Sequence, residues 1–166
     1  MTSVNSFPPI EGKSARVLIL GSMPGVASLN AHQYYAHPQN AFWKIMASIT
    51  SCPSTASYEI RVNSLKDSGI ALWDVLEQCI RPGSSDADID MISAIANDIP
   101  ALINRHPEIN TICFNGSVAE KIFNKHVLST LKAAHVRYIR LPSTSPAHAG
   151  MPLENKIAAW RAAIQS

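Results

Sequence analysis

The sequence predicts an α/β fold: a three-layer α/β/α sandwich around a small, mainly parallel four-stranded sheet. Three observations carry the prediction. Short β-rich runs alternate with stretches of helical periodicity, the order that gives parallel pairing with helices on both faces. The first run, Arg16-Val17-Leu18-Ile19-Leu20, is almost continuously apolar, as strands buried on both faces are. The runs also stop at turn formers, namely Gly21, Asn115-Gly116 and Pro142.

The elements follow in order. Residues 1–14 are expected to be a loosely ordered lead-in to one domain spanning 1–166. Arg16 to Leu20 is the first strand. Phe42 to Ile49 carries Trp43, Met46 and Ala47 at helical spacing. Ile70-Ala71-Leu72-Trp73, after Gly69, reads as a second strand, and Arg81 to Asp90 (RPGSSDADID) as an irregular loop. Asp98-Ile99-Pro100 supplies a cap and a first-turn proline, opening a short helix that ends before Pro107. Thr111-Ile112-Cys113-Phe114 is a third strand. Gly116 to His126 puts Ala119, Ile122, Phe123 and His126 on one helical stripe. Val136 to Leu141 is a fourth strand, whose alternation predicts one more exposed face. A last helix starts near Pro152 and turns Leu153, Ile157, Trp160 and Ile164 to one side.

Composition narrows the class. Of 166 residues, 46% are hydrophobic and 16% charged, which excludes a disordered tail or a coiled coil. The net charge of +2 allows a nucleic-acid partner without arguing for one. Cys52, Cys79 and Cys113 are far apart and read as reduced thiols. No CxxC or clustered Cys/His spacing is present, so neither an iron–sulfur cluster nor a structural zinc is expected. Met1 to Pro9 is polar without an apolar signal core, and no run reaches membrane-spanning length. The expectation is a soluble cytoplasmic protein with no membrane partner.

Ligands of open α/β sheets bind at the carboxyl ends of the strands. The unusual residues of this chain fall there: Gly21-Ser22-Met23-Pro24-Gly25 with Ser28; Tyr34-Tyr35-Ala36-His37-Pro38-Gln39-Asn40-Ala41-Phe42-Trp43; Asn115-Gly116-Ser117; and Leu141-Pro142-Ser143-Thr144-Ser145-Pro146-Ala147-His148. Stiff Pro/Gly/Ser loops on one rim suit a rigid polar ligand and offer backbone N–H groups to phosphate. GSMPG has neither the spacing nor the lysine of a P-loop, and no GxGxxG is present. Ser22 is not in a GxSxG elbow. A Ser/His/Asp set with His148 and Asp74 is easily found by chance in a chain this long.

GSMPG, YYAHPQNAFW and LPSTSPAH together resemble the uracil-DNA glycosylase superfamily, most closely its hypoxanthine (deoxyinosine) DNA glycosylase family. ALWDV…RPGS and ICFNG fit that family too, so the resemblance runs from about Val17 to Trp160. The resemblance implies a monomeric, monofunctional glycosylase, without metal or cofactor, on a small α/β/α sandwich. Such an enzyme acts on double-stranded DNA in the cytoplasm or nucleoid, flips out a deaminated base, chiefly hypoxanthine, and hydrolyses its N-glycosidic bond. Uracil or xanthine selectivity, or a silent nucleic-acid-binding module, are the alternatives.

One departure is informative. The middle block also resembles the mismatch-specific uracil-DNA glycosylases, and in that branch the third residue of the first motif is an Asn that positions the attacking water. Here it is Met23, which makes no useful hydrogen bond to water and is expected against the base. The hypoxanthine family shares that loss and implies Asn40 of the HPxN block as the catalytic residue; an N-cap is its ordinary alternative. Tyr35 matches an aromatic that stacks on the extruded base. Asn115, at a strand end, can read a base edge because one amide both donates and accepts, with a plain turn residue before Gly116 as the alternative. Ser22, Pro24, Gly25, Ser28, Ser143, Ser145 and His148 are expected to contact DNA, with turn capping as the ordinary role of the serines. His37 is expected to brace its loop, with a general-acid role or a phosphate contact as the alternatives. Trp73 and Asp74 are expected to form pocket floor, with capping of the following turn as the alternative for Asp74.

Overall fold

The computed structural model describes residues 3–166. Strands β2 (Val17–Gly21), β3 (Ile70–Asp74), β6 (Thr111–Asn115) and β7 (Arg137–Leu141) form the central sheet in the order β3-β2-β6-β7, every pairing parallel. All four sequence-predicted strands are present. The period of two in the buried strands divides the core. Leu18, Leu20, Ala71, Trp73, Ile112 and Phe114 face one side, where they meet α4 (Ile99–Arg105) and α5 (Ser117–His126). Val17, Ile19, Ile70, Leu72 and Cys113 face the other, against α2 (Phe42–Thr50), α3 (Tyr58–Asp67) and α6 (Leu153–Ile164). The three layers expected of the sandwich follow.

A second, antiparallel sheet was not legible in the sequence. It has the order β1-β4-β5, from Ser3–Asn5, Leu76–Ile80 and Asp90–Ala96, and adds Leu76 and Cys79 to the first core. Its strands are short, half-exposed and shifted in register, so they lack a clean apolar run. A short helix α1 (Val26–Ala31) and α3 are likewise additions. In α3 only Leu65 is buried, so the apolar stripe that would announce it is missing. The loop expected over Arg81 to Asp90 is present except at its end, where Asp90 opens β5, and it is interrupted by one 3-10 turn at Asp86–Asp88.

The expectation of a loose segment over 1–14 needs correction from residue 3 onward; residues 1 and 2 lie outside the described residues. Strand β1 pairs with β4, and Ile10 bridges Leu72. Trp73 Nε1 donates to Phe7 O at 2.9 Å and the Tyr34 hydroxyl to Pro8 O at 2.9 Å. Glu11 accepts from Arg105 and contacts His106 Nε2 at 2.6 Å. A polar composition concealed these ties because most of them use main-chain oxygens.

The topology also fixes where a ligand can sit. From β2 the chain runs through α1, α2 and α3 to β3 on one side; from β6 it runs through α5 to β7 on the other. Connections leaving neighbouring parallel strands toward opposite faces open a crevice at their carboxyl ends. That switch point lies between Gly21 and Asn115.

Candidate active site

Register brings the strand ends level. Gly21 is paired with Asp74, and Asn115 with Leu141, so three of the four sequence motifs leave the sheet along one rim, while the Tyr34–Trp43 block lies between α1 and the start of α2. Gly116 has φ +93°, and a Cβ there would meet Ser143 Cβ at 3.1 Å. A glycine thus lets the β6–α5 turn pass close under the LPSTSPAH loop.

Thr144 joins the blocks. It is 1% exposed. Asn115 Nδ2 donates to Thr144 Oγ1 at 3.0 Å, and Thr144 N donates to Asn115 Oδ1 at 2.9 Å. Ala41 N then donates to Thr144 O at 3.0 Å, which draws the HPQN block against the same residue. Sequence reasoning treated Thr144 only as part of its motif; nothing in its spacing distinguished it from Ser143 or Ser145.

Asn40 serves the start of α2. Its Oδ1 accepts the Phe42 N–H at 2.9 Å, and its own N–H donates to His37 O at 2.9 Å. The N-cap position itself is Ala41. The capping chemistry expected of Asn40 is therefore present one residue early, and it uses one lone pair of the carboxamide oxygen. The second lone pair and the amide N–H groups are chemically available to a ligand. In the same way, Asn115 retains one N–H and one lone pair beyond its two bonds to Thr144. His37 Nδ1 accepts Gln39 N–H at 3.1 Å, the loop-bracing role expected of it.

Tyr35 is half-buried and its ring stacks on Phe42, with centroids 4.2 Å apart. Its hydroxyl is sealed, so the exposed part belongs to the ring or main chain. Beneath it sits Asp74, 3% exposed, with a carboxyl pushed up to about 7. Burial is the main cause, Asp86 adds to it, and Arg81 opposes it. Burial also raises the Tyr35 hydroxyl out of any physiological range, and Asp74 reinforces the effect. Asp74 is buried at the end of β3, and among the described residues no main-chain N–H donates to its side chain.

The first loop differs most from expectation. Ser22 is buried, and its hydroxyl donates to Asp86 Oδ1 at 2.6 Å. Ser28 is buried, and its Oγ accepts the Ala36 N–H at 3.1 Å. Met23 lies in the core cluster with Trp73 and Phe114. These three were expected to touch DNA or base and are turned inward instead. A loop that doubles back needs its small polar groups for its own main chain. Pro24 is buried too, with its carbonyl accepting from Arg81 Nη2. Gly25 is half-buried and starts α1.

Arg81, 4% exposed, also donates to Gly83 O and so clasps the GSMPG and RPGS loops together. Lys156, equally buried, donates from Nζ to Ser143 O at 2.8 Å and His148 O at 2.7 Å. It takes the place in the apolar face of α6 that had been expected of Leu153, which is exposed. Sequence reasoning assigned no role to either cation. Only the i, i+4 spacing of Lys156 to Trp160, whose indole donates to Pro142 O, hinted at one. Ser143 and Ser145 are half-buried; Ser143 Oγ accepts Ser145 N–H, and Ser145 Oγ accepts Ala147 N–H, both at 3.2 Å. His148 is exposed at the tip.

A cavity of about 660 Å³ lies elsewhere, lined by Gly12, Lys13, Lys66 and His106 among others. These residues precede strands, so it opens at the opposite rim.

The α/β/α sandwich thus gathers its polar loops at the switch point, with Asn115 and the Asn40 segment tied to one threonine and a partly exposed aromatic in the same block. The model of the uracil DNA glycosylase superfamily matches residues 8–164, and the chain belongs to that superfamily. It is a DNA glycosylase, a hydrolase of N-glycosyl bonds. A hypoxanthine DNA glycosylase of Methanosarcina barkeri is 37% identical over 111 residues, 66% of this chain and 69% of that protein. The hypoxanthine DNA glycosylase of Methanosarcina acetivorans is 36% identical over 114 residues, 68% and 71% respectively. The solution NMR structure of a Methanosarcina acetivorans protein, described as a candidate uracil DNA glycosylase, superposes with a TM-score of 0.82 at 30% identity. That match covers 99% of this chain and 98% of the other.

Proposed function

We propose that this glycosylase excises hypoxanthine from double-stranded DNA, acting as a monomer with a water held by Asn40. The likeness to two hypoxanthine DNA glycosylases supports the base. The observation that carries the mechanism is the tie of the Asn40 and Asn115 segments to Thr144, which holds two amides at one rim.

Hydrolysis of a purine nucleoside bond passes through sugar-cation character while negative charge grows on the departing base. A neutral water then suffices at C1′, because the sugar is already strongly electrophilic. Asn40 orients that water through the free lone pair of Oδ1. Asn115 and main-chain N–H groups of the rim hydrogen-bond the leaving base as its charge develops. The extruded base lies on the Tyr35 ring, which Phe42 backs from behind. No covalent nucleophile is required, and Lys44, the one lysine in the motif blocks, is exposed on α2, so no lyase step is expected.

Labelled duplexes carrying hypoxanthine, uracil or xanthine, incubated with the protein and cleaved with alkali at abasic sites, test the reading. Preferential cleavage at hypoxanthine is expected. Preference for uracil or xanthine would replace the substrate, and cleavage of none would leave a nucleic-acid-binding module.

A further inference from the structure

Three non-glycine residues in the described chain have a left-handed backbone: His32, Tyr35 and Ser51. His32 and Ser51 are the C-caps of α1 and α2, where that conformation closes a helix. Tyr35, at φ +54°, ends no helix. A bulky residue is rarely found there, and such strain persists only where surrounding contacts over-determine it.

The contacts that do so lie on the main chain at either side. A residue's φ and ψ are fixed once the peptide planes before and after it are fixed. In the plane before Tyr35, the Tyr34 carbonyl accepts from Trp43 Nε1 at 2.8 Å in a buried bond. In the plane after it, the Ala36 N–H donates to Ser28 Oγ at 3.1 Å. Ser28 comes from α1 and Trp43 from α2, so the two helices hold the strained residue from both ends of their connection. Tyr34 is not free to shift and relieve it. Its N–H donates to Tyr58 Oη at 3.1 Å, its hydroxyl donates to Pro8 O at 2.9 Å, and its side chain is buried. Held so, the Tyr35 ring lies on Phe42, with 24° between the two planes. In the β or right-handed region the Cα–Cβ bond would leave in another direction and the stack would be lost.

We propose that Ser28 and Trp43 are positioning residues, whose hydrogen bonds to the two peptides flanking Tyr35 hold it left-handed and so set the ring that receives the flipped base. The proposal rests on the reading of Tyr35 as the stacking platform. It gives Ser28 an inward duty in place of the DNA contact expected of it. Both side chains are buried, and neither has to touch DNA to act.

The experiment measures single-turnover excision from a duplex carrying one deoxyinosine, at saturating protein. It compares wild type, Ser28→Ala, Trp43→Phe, Tyr35→Ala and the Tyr35→Ala/Ser28→Ala double variant. Alanine suits α1 and deletes only the acceptor. Melting curves check folding, and Trp43→Phe cuts the other bond should Ser28→Ala not fold. Each of these two variants should be about three- to tenfold slower, the rate equivalent of one hydrogen bond. Binding of an undamaged duplex should not change. In the Tyr35→Ala background, where no ring remains to be set, Ser28→Ala should slow nothing further. A wild-type rate in either folded variant, weaker binding of the undamaged duplex by Ser28→Ala (the mark of a phosphate contact), or losses that multiply with Tyr35→Ala would overturn the proposal. The backbone of Tyr35 gives a readout without activity. A positive φ brings a residue's own amide and α protons close together, so wild type should show a strong intraresidue NOE at Tyr35 that weakens in both variants. A weak NOE in wild type, or one equally strong in all three proteins, overturns the clamp. If no duplex is cut, or Tyr35→Ala cuts at the wild-type rate, the reading beneath the proposal fails, and the clamp stands or falls on the NOE alone.

Discussion

At the scale of the residue, the carboxamide of Asn40 has to hold a helix start and a water with one oxygen. Its bond to Phe42 N–H means that a loss of activity on substitution could come from either duty, so two substitutions are needed. Asn40→Ala removes both and should lower the single-turnover rate by about 10²–10³, as deleting one well-placed polar catalytic group does. It should also lower stability by ~1 kcal/mol through the lost cap. Asn40→Asp keeps an acceptor for Phe42 N–H, so urea melts should separate it from alanine while both remain slow. Wild-type rates in Asn40→Ala would reduce the residue to its cap. Tyr35→Ala should weaken binding of the extruded nucleotide by about 1–3 kcal/mol, read by titration with a duplex carrying an unreactive flipped analogue. Asp74 gives a stability prediction with a definite sign. Its folded pKa, about 7, lies above the unfolded value of 3.8, so folding takes up a proton between these limits. The protein should lose stability as pH rises from about 4 to about 7, and Asp74→Asn should gain relative to wild type over that window. Parallel Tm curves for the two proteins would contradict this.

At the scale of the element, the four buried strands were legible because residues sealed on both faces leave a short continuous apolar run. Helices α2, α4 and α5 were legible through periodicity and caps, as at Asp98, whose side chain accepts Ala101 N–H at 3.1 Å. The second sheet and α3 were hidden because half-exposed elements do not need a pattern. Ser22 and Ser28 show a related limit: motif residues in a tight loop look alike whether their hydroxyls face outward or, as here, other groups of the chain. Lys156 is the element-scale device that no pattern announced. From α6 it holds two carbonyl oxygens of the β7–α6 connection, and burial lowers its pKa without removing its charge-assisted bonds. Lys156→Met preserves much of the buried stem but leaves Ser143 O and His148 O unmatched. Thermal melts should show a loss of about 1–3 kcal/mol. Because Asn115 and Ala41 both bond Thr144 in that loop, duplex cleavage should also slow; melting loss with an unchanged rate would mean that the loop holds its shape without α6.

At the scale of the whole molecule, a net charge of +2 has to be reconciled with a polyanionic substrate. The two cations closest to the loops do not meet solvent: Arg81 clasps Pro24 O and Gly83 O, and Lys156 clasps Ser143 O and His148 O. Arg140, on β7, is drawn toward Glu120 at 3.7 Å. The rim therefore presents main-chain N–H groups and the exposed Lys44, His37 and His148 in place of a basic groove. Main-chain donors fix phosphates without releasing many counterions, so affinity should depend weakly on salt. Measured by fluorescence anisotropy between low and physiological salt, log Kd against log salt should have a slope corresponding to about 3–5 neutralised phosphates. Ser143→Ala and Ser145→Ala should leave that slope unchanged, because neither removes a charge. Lys44→Ala should reduce it by about one if that side chain meets a phosphate. A steep slope, near that of a dedicated basic binder, would require cations that this rim does not display, and would move the DNA path off the switch point to another face of the molecule.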